Sequence, residues 1–372
     1  MHRRLVIMKR PKLLALFPSY HSREYPHPVG GGEISNRVLL EGLVDSGWEV
    51  VVVASNTDVS GIYNGVFVYK SADFKNRVIS VLRRQRDLRK LSLDVALKFK
   101  PDIIICGPTA LAFSGKIAKM CGVRHGLMVR AFENFEALAP VQEKKTPIIR
   151  KIAKMLLGNY QANRKPADFY IFNSIYMERR ISPVINSPSY VVYPSIDIER
   201  RLNKVRSIKN VHMVGLTKDK GFEIFKGLAR RFPKLNFYIY GKRSELILDH
   251  ELPENVTYKG WADVEEVYGG ADVFLVPSQW EEPFGRVSVE ALAFGCIVLV
   301  SDKGGLPETV SFEHDLIVKS DDLGKWYYSL YSIINDLDKY SSCADRAASE
   351  IWKYSTSNQI REFERILLGE IS

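Results

Sequence analysis

Residues 278–295 read Ser278-Gln279-Trp280-Glu281-Glu282-Pro283-Phe284-Gly285-Arg286-Val287-Ser288-Val289-Glu290-Ala291-Leu292-Ala293-Phe294-Gly295. The stretch sets one carboxylate, Glu282, in a loop and a second, Glu290, inside an otherwise apolar helix. Arg286, Val287 and Ser288 begin that helix, and Gly295 suits the C′ position after it. Gly285 lets backbone approach a ligand closely. The amides at the helix start form an anion site suited to a diphosphate. A buried ionised carboxylate without partners is costly, so Glu290 calls for a dedicated polar partner. A carboxylate only accepts hydrogen bonds and has two oxygens, so a vicinal pair of sugar hydroxyls suits it. The plain alternative is a core-packing helix with two incidental glutamates. The agreement of the spacing, the Pro-Phe-Gly elbow and the strand and loop that follow argues against it.

Outward from this stretch, apolar runs of strand length alternate with helical patterns, which predicts parallel sheets covered on both faces. Lys12 to Phe17 is the first strand, and Gly32 to Asp45 a helix with Ile34, Val38, Leu39 and Leu43 on one side. Further strands are expected at 48–54, 102–106, 126–129 and 169–172, with a final short strand and turn over 191–197 before a linker. A second unit of the same type begins at Val211, with strands at 211–214, 235–240, 256–258, 273–276 and 297–300. Helices close the chain at 323–336 and 357–368. With 372 residues the chain exceeds the size at which a single core keeps growing. The expected division is a domain over 1–195, a second over 196–352, and a C-terminal helix over 353–372 packing back on the first.

Three further segments carry candidate chemistry. Val29-Gly30-Gly31-Gly32-Glu33 lies between the first strand and its helix, where bare glycine amides can close on a phosphate. Val214-Gly215-Leu216-Thr217-Lys218-Asp219-Lys220-Gly221 sets lysines ahead of a helix start, where each can neutralise a phosphate as a point charge. His125-Gly126-Leu127-Met128-Val129-Arg130-Ala131-Phe132-Glu133 puts Arg130 and Glu133 beyond the C-terminal end of a strand, where open α/β sheets bind ligands. His125 precedes that strand and is expected to point away. A dinucleotide dehydrogenase is rejected. Its Gly-x-Gly-x-x-Gly must lie hard against the strand with an acid ending the next one, whereas here the second strand ends Ala54-Ser55-Asn56-Thr57.

The Glu282-to-Glu290 stretch resembles the Glu-x7-Glu signature of glycosyltransferase family 4, the glycosyl transferases group 1. These are retaining GT-B enzymes with two Rossmann-like doubly wound domains facing across a cleft. The resemblance implies that Glu290 holds the ribose hydroxyls of a nucleotide sugar and that Glu282 contacts the transferred sugar. It further implies that the amides from Phe284 through Gly285 and Arg286 to Val287 contact sugar and phosphate. Asp302-Lys303-Gly304-Gly305-Leu306-Pro307-Glu308 matches the family's Gly-Gly-x-Pro-Glu loop. Lys220 matches the lysine of its Gly-Arg-…-Lys-Gly loop, which stabilises the leaving diphosphate. Leu216 stands where that loop has arginine, and the loop is one residue shorter. Lys218 is the candidate substitute, although a lysine lacks the bidentate fork. Gly31 and Gly32 match the N-terminal loop that swings over the donor diphosphate. Many relatives have a histidine near the reacting sugar where this chain offers Arg130, with Glu133, Arg23 and His27 as acceptor-side candidates.

Composition sets the remaining bounds. The formal net charge of +10 implies an anionic partner: nucleotide diphosphate, phospholipid or nucleic acid. Basic amphipathic patterns at 77–91 and 146–156 suit either a membrane surface or a solvated helix face, and no nucleic-acid motif accompanies them. No apolar run approaches the roughly 20 residues that span a bilayer. The start of the chain does not read as a signal peptide. The four cysteines show no metal spacing and suit a reducing cytoplasm, with the protein possible as a peripheral visitor to the inner face of the plasma membrane. Asp336-Leu337-Asp338 reads as a solvated acidic patch at a helix end. Neither metal nor cofactor is expected, the donor being a UDP- or GDP-linked sugar and the acceptor a glycan or lipid-linked sugar. The expected activity is hexosyl transfer in envelope polysaccharide synthesis. A sugar-nucleotide epimerase and a non-catalytic nucleotide-sugar-binding protein are the alternatives.

Overall fold

The computed structural model describes residues 10–20, 30–57, 60–71, 78–132, 135, 167–197, 205, 207–242, 252–319 and 322–371. The chain divides into two units. The first comprises residues 1–173, 178–195 and 359–372, the second 174–177 and 196–358.

The first unit runs β1 (Lys12–Ser19), α1 (Gly31–Asp45), β2 (Glu49–Asn56), β3 (Gly61–Tyr63), β4 (Val66–Lys70), α2 (Val78–Phe99), β5 (Ile103–Cys106), α3 (Leu111–Cys121), β6 (Arg124–Val129) and β7 (Phe169–Phe172). Helix α4 (Ile175–Ile181), whose first residues through Met177 belong to the second unit, and strand β8 (Ser189–Val191) follow. The sheet order is β3-β4-β2-β1-β5-β6-β7-β8, parallel throughout except for the β3–β4 hairpin. Leu13, Leu14, Ala15 and Leu16 are fully buried, as are Ile104, Ile105 and Cys106, because helices cover both faces of the central strands.

The second unit contains β9 (Asn210–Val214), α5 (Phe222–Arg231), β10 (Asn236–Tyr240), β11 (Val256–Gly260), α6 (Val264–Gly269), β12 (Val273–Val276) and α7 (Arg286–Ala293). It continues with β13 (Ile297–Ser301), α8 (Leu306–Thr309), β14 (Ile317–Val318), α9 (Leu323–Asn335) and α10 (Leu337–Ser349). Its six parallel strands lie in the order β11-β10-β9-β12-β13-β14. A last helix, α11 (Thr356–Leu368), passes from the second unit into the first. Phe363, Ile366 and Leu367 enter the first unit's core beside Leu39, Leu43 and Trp48. Gly42 faces Ile360 so closely that a Cβ there would lie 2.1 Å from Ile360 Cδ1.

Several expectations need correction. The short strand expected to begin at Val191 lies earlier: β8 ends at Val191, and within 192–197 Ile196 makes an isolated bridge to Ser355. Asp336 does end a helix, its amide donating to the Ser332 carbonyl at 2.9 Å at the close of α9, but it also caps α10, its carboxylate accepting the Lys339 amide at 3.3 Å. Helix α2 runs on to Phe99, because Ser92, Val95 and Ala96 extend its buried face past Leu91. The expected helix at 146–156 lies outside the described residues. No described helix is long and apolar enough to cross a membrane.

Candidate functional site

Both sheets reverse their winding at one point, and ligands of open α/β folds gather at the C-terminal strand ends there. In the second unit the reversal falls between β9 and β12. The loop after β9 carries Lys218 and Lys220, and the loop after β12 carries Glu282, so the topology alone brings them together.

Lys218 to Lys220 form a single 3-10 turn ahead of α5. Gly221 ends the turn at φ +82°, and a Cβ there would lie 2.0 Å from the Pro277 carbonyl oxygen. Only glycine therefore lets the lysine loop pack against the strand end. Lys220 Nζ donates to Glu282 Oε1 at 2.5 Å and lies 5.5 Å from the Trp280 ring centroid. Glu282, 7% exposed, also accepts the Ser278 hydroxyl at 2.7 Å. Its carboxylate is thus held by a cation and a hydroxyl, as burial requires. Lys218 is exposed and Leu216 is buried, so the position of the family's arginine contributes no charge.

The Gly-Gly loop encloses the backbone of Glu282. Gly305 N–H donates to the Glu282 carbonyl at 2.8 Å. Glu308, at the end of that loop, is buried and accepts the amides of Ile175 at 3.0 Å and Tyr176 at 3.2 Å. Tyr176 also bonds Glu281 through its hydroxyl.

Helix α7 starts at Gly285, whose φ is +110°. Phe284 is buried against Tyr354, and Ser288 Oγ donates to the Gly285 carbonyl at 2.6 Å, which fixes the elbow. Arg286 and Val287 remain partly exposed on the first turn. Glu290 lies one turn in. Its Oε1 accepts Arg286 Nη2 at 2.9 Å and Nε at 3.2 Å, and its Oε2 accepts the Tyr268 hydroxyl at 2.6 Å. The carboxylate does not point into solid hydrophobic packing. It lines a cavity of about 180 Å³ with Tyr268, Arg286, Val264, Asp197 and Phe294.

In the first unit the reversal lies between β1 and β5. Gly31 and Gly32 form the exposed first turn of α1, and Glu33 folds back so that its carboxylate accepts the Gly30 amide at 3.3 Å. Arg130, after β6, donates to Asn36 Oδ1 at 2.9 Å and to the Val192 carbonyl at 3.0 Å. A Cβ at Gly32 would lie 3.5 Å from Arg130 Cβ, so Arg130 and the glycine turn share one corner of this unit. His125 is buried inside β6, hydrogen-bonded to Ser114 Oγ at 2.8 Å, with burial pushing its imidazole down to about 4. Arg23, His27 and Glu133 lie outside the described residues. Among the described residues no three His, Cys, Asp or Glu side chains stand together as a metal site.

Sequence reasoning missed Tyr268, Ser278 and Tyr176. Tyr268 had a local signal: Asp263 caps α6 by accepting the Glu266 amide at 2.8 Å, a short polar helix start recognisable in Asp-Val-Glu-Glu.

Two winding reversals with charged loops at their strand ends define a doubly wound α/β protein of two units. The family model for glycosyl transferases group 1 matches residues 211–349, and that for glycosyltransferase family 4 matches residues 29–200. The chain belongs to this family of GT-B glycosyltransferases. It is 25% identical over 320 residues to an uncharacterised 42.6 kDa protein of the cps region of Klebsiella pneumoniae, covering 76% of this chain and 84% of that one. Sucrose-phosphate synthase from Thermosynechococcus elongatus shares the fold at a TM-score of 0.74 and 17% identity, over 96% of this chain and 99% of that one. Anabaena HepE, solved in complex with UDP-glucose, shares it at 0.70 and 18%, over 96% and 99%.

Proposed function

We propose that this chain is a retaining, metal-independent hexosyltransferase. It moves a sugar from a nucleoside diphosphate, UDP- or GDP-linked, to a glycan or lipid-linked acceptor in envelope polysaccharide synthesis. The observation that carries the reading is Glu290: an acid inside an apolar helix whose carboxylate opens onto a cavity one turn from a helix N-terminus. That arrangement suits a pentose on the carboxylate and a pyrophosphate on the amides of Arg286 and Val287. The UDP-glucose bound by Anabaena HepE, and the cps region that encodes the Klebsiella relative, support the donor and acceptor classes respectively.

The difficult step is departure of the diphosphate from the anomeric carbon. Negative charge grows on the leaving oxygen, and a cation fixed beside it lowers the barrier more than it aids ground-state binding. Lys220 supplies that charge, with Glu282 holding the ammonium in place and Lys218 adding a looser one. Attack on the same face as departure preserves the anomeric configuration without a protein nucleophile. The first unit's glycine turn and Arg130 serve the diphosphate and the acceptor side.

Lys220→Ala is expected to lower turnover about 10²–10³-fold with the fold intact. Initial-rate assays of a folded variant check this, and normal turnover removes the leaving-group role. The donor is found by thermal shift with UDP-, GDP- and ADP-sugars, because a ligand of the folded state raises stability by RT ln(1 + [L]/Kd). A chain that binds a donor yet neither hydrolyses nor transfers it is the non-catalytic protein instead, and release of an epimer from donor alone marks an epimerase.

A further inference from the structure

Glu290 has two oxygens, and the structure treats them differently. Both guanidinium contacts, from Arg286 Nε and Nη2, fall on Oε1. On Oε2 the Tyr268 hydroxyl, at 2.6 Å, holds the position. An arginine four residues earlier on the same helix offers a planar fork that a carboxylate prefers to meet with both oxygens. Something must stop Glu290 from turning into that bidentate pair and away from the cavity. We infer that Tyr268 is the positioning residue of the nucleotide site: its phenol pins Oε2 and keeps the carboxylate aimed at the cavity, so that ribose hydroxyls meet a fixed pair of acceptors.

The surroundings suit this role. Tyr268 is 3% exposed, with its ring held between Phe274 at 5.2 Å and Phe294 at 5.6 Å between centroids. Its carbonyl accepts the Cys296 thiol at 3.4 Å. A side chain so enclosed has one rotamer available and can hold its partner to a narrow range of positions. Burial, and then the neighbouring negative charge of Glu290, raise the phenol well above its usual range, so it is a proton donor at neutral pH.

The inference rests on Glu290 receiving the pentose, and the test separates the two. Wild type, Tyr268→Phe and Glu290→Ala are titrated calorimetrically with UDP, GDP and their 2′-deoxy counterparts. Wild type is expected to prefer the ribonucleotide about 10- to 100-fold, the worth of a hydrogen bond to a charged group. Tyr268→Phe keeps the ring packing and is expected to lose most of that preference. Its affinity for the ribonucleotide falls about tenfold, its affinity for the deoxy form is nearly unchanged, and in turnover KM for the donor rises with kcat retained. A merely structural tyrosine would weaken both nucleotides alike, and that result, or an unchanged preference in a folded Tyr268→Phe, overturns the inference. An unchanged preference in Glu290→Ala, or no binding of any of the four by wild type, overturns the reading of Glu290 itself and the inference with it.

Discussion

His125, expected from sequence to point away from the strand end that binds ligands, is a structural side chain whose titration acts on stability. Its ring is 3% exposed and bonded to Ser114, with Cys106 Sγ at 3.3 Å from the same nitrogen. Burial is the larger influence on its titration and the nearby Asp168 opposes it, leaving the folded value at about 4 against 6.5 for the free side chain. The unfolded chain therefore binds the proton more readily. Stability from this group is fully present above pH 6.5 and is lost as the pH falls toward 4. The loss amounts to about 3 kcal/mol at most, since each unit of difference is worth about 1.4 kcal/mol. Denaturant titrations across this range, on wild type and His125→Gln, are expected to show a shallower acid loss in the variant. Parallel curves would mean that the imidazole is not what titrates. Cys106, with its thiol pushed up to about 12 by burial, is likewise a packing residue and not a nucleophile.

At the scale of elements, the site depends on loops that only glycine can form. Gly304 has φ +61°, and a Cβ there would lie 2.2 Å from the Glu282 carbonyl oxygen and 2.6 Å from its amide nitrogen. Backbone is on the other side of the collision, so a rotamer change cannot relieve it. Gly304→Ala is expected to cost about 2 kcal/mol or more in stability and to displace Glu282 from Lys220, lowering turnover beyond the stability loss. Denaturation and initial-rate measurements on the same preparation check both effects, and unchanged values would show that the loop yields freely. These loops were legible in the sequence because their glycines, Pro283 and Phe284 sit at fixed distances from charged residues. The helix at 286–293 was legible through the apolar face of Val289, Ala291 and Leu292. Helix α6 was not, since six residues give hardly more than one turn of periodicity and its only signal is the Asp263 cap. Tyr268 went unseen with it: a phenol reaching a carboxylate 22 positions away leaves no spacing pattern.

At the scale of the molecule, continuous apolar strands foretold two parallel sheets, and their alternation with helices foretold the winding. The reversal points follow from strand order, which the sequence does not state, yet they decide which loops meet. The return of the chain at Gln359 also rests on tertiary contacts: Trp48 Nε1 donates to Glu364 at 2.8 Å, a pairing across 316 positions. Exposed Arg86, Arg89 and Lys90 on α2 place part of the net charge of +10 on the first unit. The central claim, that Glu290 grips a nucleotide's pentose while Lys220 and the start of α7 hold its pyrophosphate, has one direct test. It is a crystal structure of the full chain with whichever of UDP or GDP binds. The account predicts ribose hydroxyls within about 2.7–3.2 Å of the Glu290 carboxylate and phosphate oxygens on the amides of Arg286 and Val287. A nucleotide bound elsewhere, with Glu290 still engaged only by Tyr268 and Arg286, would contradict it.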